Sequence, residues 1–87
     1  MPPKDELSPF HIKIMRFFLD NPNSIDTPRG VASWTNAPVS ETTKVLEELS
    51  KRGLLKAYRT SSTVGYALSE NRKILKTLEH ALKENRS

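Results

Sequence analysis

A chain of 87 residues and 9.9 kDa has room for one domain, and at this size folding removes roughly 60–65% of the unfolded surface from water, enough for one modest core. With 36% apolar and 28% charged residues the proportions are globular, and the formal charge of +4 (pI about 9.6) is a mild basic excess that suits nucleic acid or an acidic partner. The absence of cysteine excludes disulfides, thiolate zinc sites and thiol nucleophiles, no apolar run is long enough to span a bilayer, and the start MPPKDELSP lacks the basic-then-apolar pattern of a signal peptide, so a soluble cytoplasmic protein is expected.

Residues 1–7 are polar and contain proline, which predicts a frayed N-terminal arm. Ser8-Pro9 is a helix start, serine at the cap and proline where a missing N–H costs nothing. A first helix from Pro9 to about Leu19 follows, with Phe10, Ile14, Phe17 and Phe18 as its inner face and Met15 beside it. Pro22 disfavours helix in the residue before it and ends this element. Ser24-Ile25-Asp26 is a candidate for a small strand added to a later hairpin. Thr27-Pro28 repeats the cap-then-proline signal and opens a short second helix to about Asn36, in which Val31, Ala32 and Thr35 point inward together and Trp34 lies at the margin.

The stretch from Pro38 to Gly53, PVSETTKVLEELSKRG, has the plainest pattern in the chain. Thr42, Val45, Leu46 and Leu49 recur at i, i+3, i+4 and i+7, one apolar face of an amphipathic helix. Gly53 is its natural stop, because glycine takes a left-handed position without a steric penalty, and Lys51 and Arg52 suit the negative end of the helix dipole. Two extended runs follow, Leu54–Arg59 and Val64–Leu68, with the small polar segment Thr60–Thr63 as a hairpin tip. Ser69 then caps a last helix to about Glu84, striped by Ile74, Leu75, Leu78, Ala81 and Leu82.

Three helices, two strands and a helix make an α+β arrangement, and two local patterns sharpen it. Leu46-x-x-Leu49-x-x-x-Gly53-Leu54-Leu55 and Tyr66-Ala67-Leu68-Ser69-Glu70 resemble the recognition-helix end and the wing exit of winged helix-turn-helix domains. Over residues 8–84 the chain is similar to the DNA-binding domains of prokaryotic transcriptional regulators of the multiple-antibiotic-resistance-repressor and arsenic-repressor types. The resemblance implies a three-helix core, a β-hairpin wing over 55–68, an added C-terminal helix over 70–84 and a short tail at 85–87. It also implies a double-stranded DNA partner. Helix 38–52 would read the major groove, where each base pair shows its own donor and acceptor pattern, through Val39, Ser40, Glu41, Thr43 and Lys44. The wing would lie along the backbone or in the minor groove.

Lys51, Arg52, Lys56 and Arg59 form the densest positive stretch, and Lys51, Lys56, Arg59, Ser61 and Ser62 are its candidate contacts, with the hydroxyls of Thr60 and Thr63 beside them. Glu41, Glu47 and Glu48 make the helix less basic than a strong DNA reader. A homodimer through Ile74, Leu75, Leu78 and Leu82 would compensate by presenting two half-site readers. Burial of that stripe on the first helix is the competing use.

No cofactor is implied. His11 and His80 stand far apart without a ligand cluster, so no metal is expected. Three glycines cannot supply a P-loop, and no nucleophile–base spacing is present, so the chain reads as a binding module rather than an enzyme. The rival readings are a winged helix used for protein contact, a non-specific architectural DNA binder, and an RNA binder, which would need a stacking surface that is not evident.

Overall fold

The computed structural model describes residues 8–71, 73, 75–77 and 80. Its elements in order are α1 (Pro9–Asp20), β1 (Ile25–Asp26), α2 (Pro28–Thr35), α3 (Val39–Lys51), β2 (Leu55–Arg59) and β3 (Val64–Leu68). This is the winged-helix arrangement, three helices against a three-stranded antiparallel sheet of order β1-β3-β2. A further helical segment follows, with helical backbone at 73, 75–77 and 80.

Both cap-then-proline signals act as read. The Ser8 Oγ accepts from the His11 amide at 3.2 Å, and the Thr27 Oγ1 accepts from the Gly30 amide at 3.1 Å. The first helix runs one residue past the predicted end, to Asp20. There the Asn21 amide donates to the carbonyls of Phe17 and Phe18, and its side-chain Nδ2 donates to the Phe17 carbonyl at 2.8 Å.

The core lies where α1, α2 and α3 meet the inner face of the hairpin. Ile14, Met15, Phe18, Val31, Leu46, Leu49, Leu55 and Tyr66 are sealed in it. All four residues expected on the inner face of α1 pack in or against this core, with the centre of the face shifted toward Met15. Met15 is fully buried, while Phe10 and Phe17 are half-buried at the edge. Phe17 is held there by two rings, meeting Phe18 edge-on at 5.2 Å between centroids and Trp34 at 4.7 Å. Trp34 is 56% exposed, so it covers the flank of the core and does not enter it.

The short strand at Ile25 forms. β1 pairs with β3 through Ile25↔Ala67 and Asp26↔Tyr66. The hairpin register runs from Leu55↔Leu68 to Arg59↔Val64. Its first strand begins at Leu55, not Leu54, because the Leu54 amide is still bonded to the Leu49 carbonyl of α3. Gly65 sits at a close approach: a Cβ there would stand 2.8 Å from the Ile25 Cγ2.

After β3 the Ser69 Oγ accepts from the Asn71 amide at 3.1 Å, and the Leu75 amide donates to the Asn71 carbonyl at 3.1 Å. Leu75 is half-buried. The arm at 1–7, the tail at 85–87, and Ile74, Leu78, Ala81 and Leu82 of the expected stripe lie outside the described residues. Among the described residues no helix is long and apolar enough to cross a membrane.

Candidate nucleic-acid interface

Helix α3 is aimed by the turns at its two ends. Before it, Asn36 takes left-handed backbone (φ 58°, ψ 46°). The Ala37 amide then reaches back to the Ala32 carbonyl at 3.0 Å and the Asn36 amide to Ser33 at 3.4 Å, which closes α2 and reverses the chain. Asparagine tolerates this conformation better than other non-glycine residues. It is why α2 stops at Thr35, one residue before the predicted end. After α3, Gly53 is left-handed (φ 79°) as its sequence position suggests. Its amide donates to Ser50 and the Leu54 amide to Leu49, both at 3.0 Å, a paired closure of the same kind. Leu54 is thereby turned into the core.

Between these turns Thr42, Val45, Leu46 and Leu49 are buried. The opposite side of the helix carries Ser40, Lys44, Glu47 and Lys51, at i, i+4, i+7 and i+11, all exposed. Glu41 and Glu48 flank this stripe on one side, and Val39 and Thr43 on the other. Val39 is 45% exposed. Thr43 is half-buried and its hydroxyl already donates to the Val39 carbonyl at 2.8 Å, so it is a less available donor than its position in the sequence suggests. Glu48 is turned toward α1, where its carboxylate lies 2.9 Å from the His11 Nε2. Lys44, Glu47, Lys51, Lys56 and Arg59 form no ion pair with another described residue.

The hairpin divides the predicted basic stretch between two surfaces. Side chains alternate along a strand, so Arg59 shares the α3-facing side with Leu55 and Ala57. There it joins Lys51 in a hollow of about 190 Å³, whose walls also include Glu47, Ser50 and Tyr66. Lys56 lies on the other side of the sheet, its Nζ 5.3 Å from the centre of the Tyr58 ring. Lys56 and Arg59 therefore do not act on the same surface. At the tip, Ser61 and Ser62 are exposed. Thr60 is committed to the turn. Its amide donates to the Thr63 carbonyl at 2.8 Å, and its hydroxyl donates to that carbonyl at 3.1 Å while accepting from the Ser62 and Thr63 amides.

Tyr66 and Ser50 were not among the sequence candidates. The available signal was strand parity: Tyr66 alternates onto the same side as Arg59, the side that meets α3. Burial raises the Tyr66 phenol above its ordinary value of 10.0, the Glu47 carboxylate adds to the rise, and Arg59 opposes it. The hydroxyl therefore remains a neutral donor at physiological pH.

No family model matches the sequence, and no curated protein matches it either. Solved structures do. A possible transcriptional regulator from Methanosarcina mazei Go1 superposes with a TM-score of 0.71 at 15% identity, over 93% of this chain and 81% of that one. A zinc-responsive MarR family member from Lactococcus lactis superposes at 0.66 and 21% identity, over 97% of this chain. This chain spans only 58% of that regulator's length. Dissimilatory sulfite reductase D superposes at 0.62 and 18% identity, over 80% of this chain and 99% of that one. At these identities the likenesses establish a shared winged-helix fold.

Proposed function

We propose that this chain binds double-stranded DNA and regulates transcription, with the N-terminal half of α3 in the major groove and the wing along the backbone. The observation that carries the reading is one surface: the exposed stripe Ser40, Lys44, Glu47 and Lys51 on α3 runs into Arg59 on the wing, and its three cations form no ion pair with another described residue. On such a surface Lys44 reaches a phosphate or a guanine edge, Ser40 bonds a phosphate or a base, and Glu41 accepts from a cytosine amino group. Val39 and Thr43 border the same edge and offer apolar contact. Arg59, Ser61 and Ser62 bind the backbone. The regulators among the similar structures support this use of the fold.

Glu47 in the middle of the stripe weakens a single copy. A dimer paired through the segment carrying Ile74, Leu75, Leu78 and Leu82 would restore affinity by offering two such surfaces.

Fluorescence anisotropy of a labelled mixed-sequence duplex tests the reading. Affinity falls steeply with salt, log K dropping by ~0.9 per phosphate neutralised for each tenfold rise in salt. Flat salt dependence contradicts it. The rival, a protein-contact module, draws on the exposed Trp34 ring against Phe17. It predicts that Trp34→Ala abolishes partner capture while duplex binding is absent.

A further inference from the structure

The hollow between α3 and the wing combines features that a solvated basic surface lacks. Two cations, Lys51 and Arg59, line it together with two hydroxyl donors, Ser50 and Tyr66, and one carboxylate, Glu47. Tyr66 is 1% exposed, its ring packed in the core, yet its hydroxyl has no hydrogen-bond partner among the described residues. No fully enclosed side-chain oxygen or nitrogen among those residues lacks a partner, so this oxygen is not sealed in. Tyr66 lines the hollow, so the hollow is where an incoming group can meet that hydroxyl. A donor with so little exposed surface has room for few partners, from protein or from solvent. An acceptor arriving in the hollow would supply one, and the two cations give the acceptor its charge.

We propose that this hollow seats one phosphodiester of the DNA backbone, with the Tyr66 hydroxyl donating to a phosphate oxygen, Lys51 and Arg59 neutralising it, and Ser50 as the second neutral donor. The proposal rests on the DNA reading above and adds to it a fixed point between the recognition helix and the wing. Glu47 opposes the anion from the wall and sets how strongly it is held. The hydroxyl is fixed by a ring in the core, so it holds the phosphate in one place relative to α3, whereas a lysine on a flexible stem attracts it without fixing its position.

The test is duplex binding by the full chain, followed by anisotropy across a salt series, for wild type, Tyr66→Phe, Arg59→Ala and the double variant. Tyr66→Phe keeps the buried ring and removes one uncharged donor. It weakens binding by about ten- to a hundredfold, the loss of one hydrogen bond to a charged group, with the salt slope and the thermal midpoint unchanged. Arg59→Ala lowers the slope by ~0.9. If both grip one phosphate, Tyr66→Phe costs much less once Arg59 is gone, because interacting contacts are not additive. Wild-type affinity in Tyr66→Phe, alongside salt-dependent duplex binding by the wild type, overturns the seat and leaves the DNA reading standing. Absence of duplex binding by the wild type overturns both. Saturable binding of inorganic phosphate at the Tyr66 amide, combined with full additivity on DNA, reassigns the hollow to a free anion and overturns the backbone seat.

Discussion

The inner and outer faces of α3 lie on the same thirteen residues and have opposite characters. Inward, Thr42, Val45, Leu46 and Leu49 are sealed against α1, α2 and the hairpin, and even the Thr42 hydroxyl is satisfied by the Pro38 carbonyl at 2.9 Å. Outward, Ser40, Lys44, Glu47 and Lys51 are exposed and form no ion pair with another described residue. Position around the helix decides what a residue does, more than its type. Thr42 and Thr43 are adjacent and chemically identical, yet one is core and the other borders the proposed contact surface.

Substitutions on the two faces should therefore separate stability from binding. The largest effect is expected inward. Leu46→Ala removes a fully buried side chain and should cost ~2–5 kcal/mol in urea unfolding, from lost transfer energy and the cavity left behind. The affinity of the protein that remains folded should not change. At the boundary between the faces, Gly53→Ala places a Cβ on left-handed backbone (φ 79°) and should cost about 1–2 kcal/mol. It should loosen the wing relative to α3, so here stability and DNA affinity fall together. A variant that lost neither would mean that the turn does not aim α3.

Outward, Lys44→Ala and Arg59→Ala should leave the thermal midpoint nearly unchanged. Each should weaken duplex binding and reduce the salt slope by ~0.9. Lys56, on the far side of the sheet, is the internal control: Lys56→Ala should change the slope less than Arg59→Ala. Equal effects would show that the two sides of the hairpin are not functionally distinct. The smallest effect is expected for Glu47→Gln, which removes the carboxylate from the α3–wing hollow and should tighten duplex binding modestly. Weaker binding by this variant would give Glu47 a contact role in place of an opposing one.

The elements most legible in the sequence were those set by local chemistry. The two cap-then-proline starts, the α3 stripe and its glycine stop depend on residues within a turn of one another, and their spacing carries the signal. Asn36 was legible as the end of α2 but not as left-handed backbone, because asparagine occupies several conformations and tertiary packing selects among them. The inner face of α1 was legible in its residues but not in its exact centre, for a related reason. Four apolar residues in close succession at 14, 15, 17 and 18 leave the centre of the buried face open; Phe17 ends at its edge, against the Trp34 ring.

The basic stretch was legible as composition and misleading as a surface. Four cations within nine residues suggest one patch, but they span a helix end, a turn and a strand, and strand parity sends Lys56 away from Arg59. By sequence Thr60 belongs with the tip hydroxyls, whereas the turn that brings Arg59 opposite Val64 consumes it. Tyr66 could have been found by following the same parity across the hairpin. Its unpartnered hydroxyl could not, since that depends on where α3 ends relative to the wing.

The most direct test of the central claim is a titration of isotope-labelled protein with mixed-sequence duplex DNA, following backbone amide shifts at low and high salt. The account predicts salt-sensitive shifts concentrated at residues 39–44 on α3 and 59–63 on the wing, with α1 little changed. An intact spectrum with no shifts at either place, or shifts confined to the surroundings of Trp34, would contradict it.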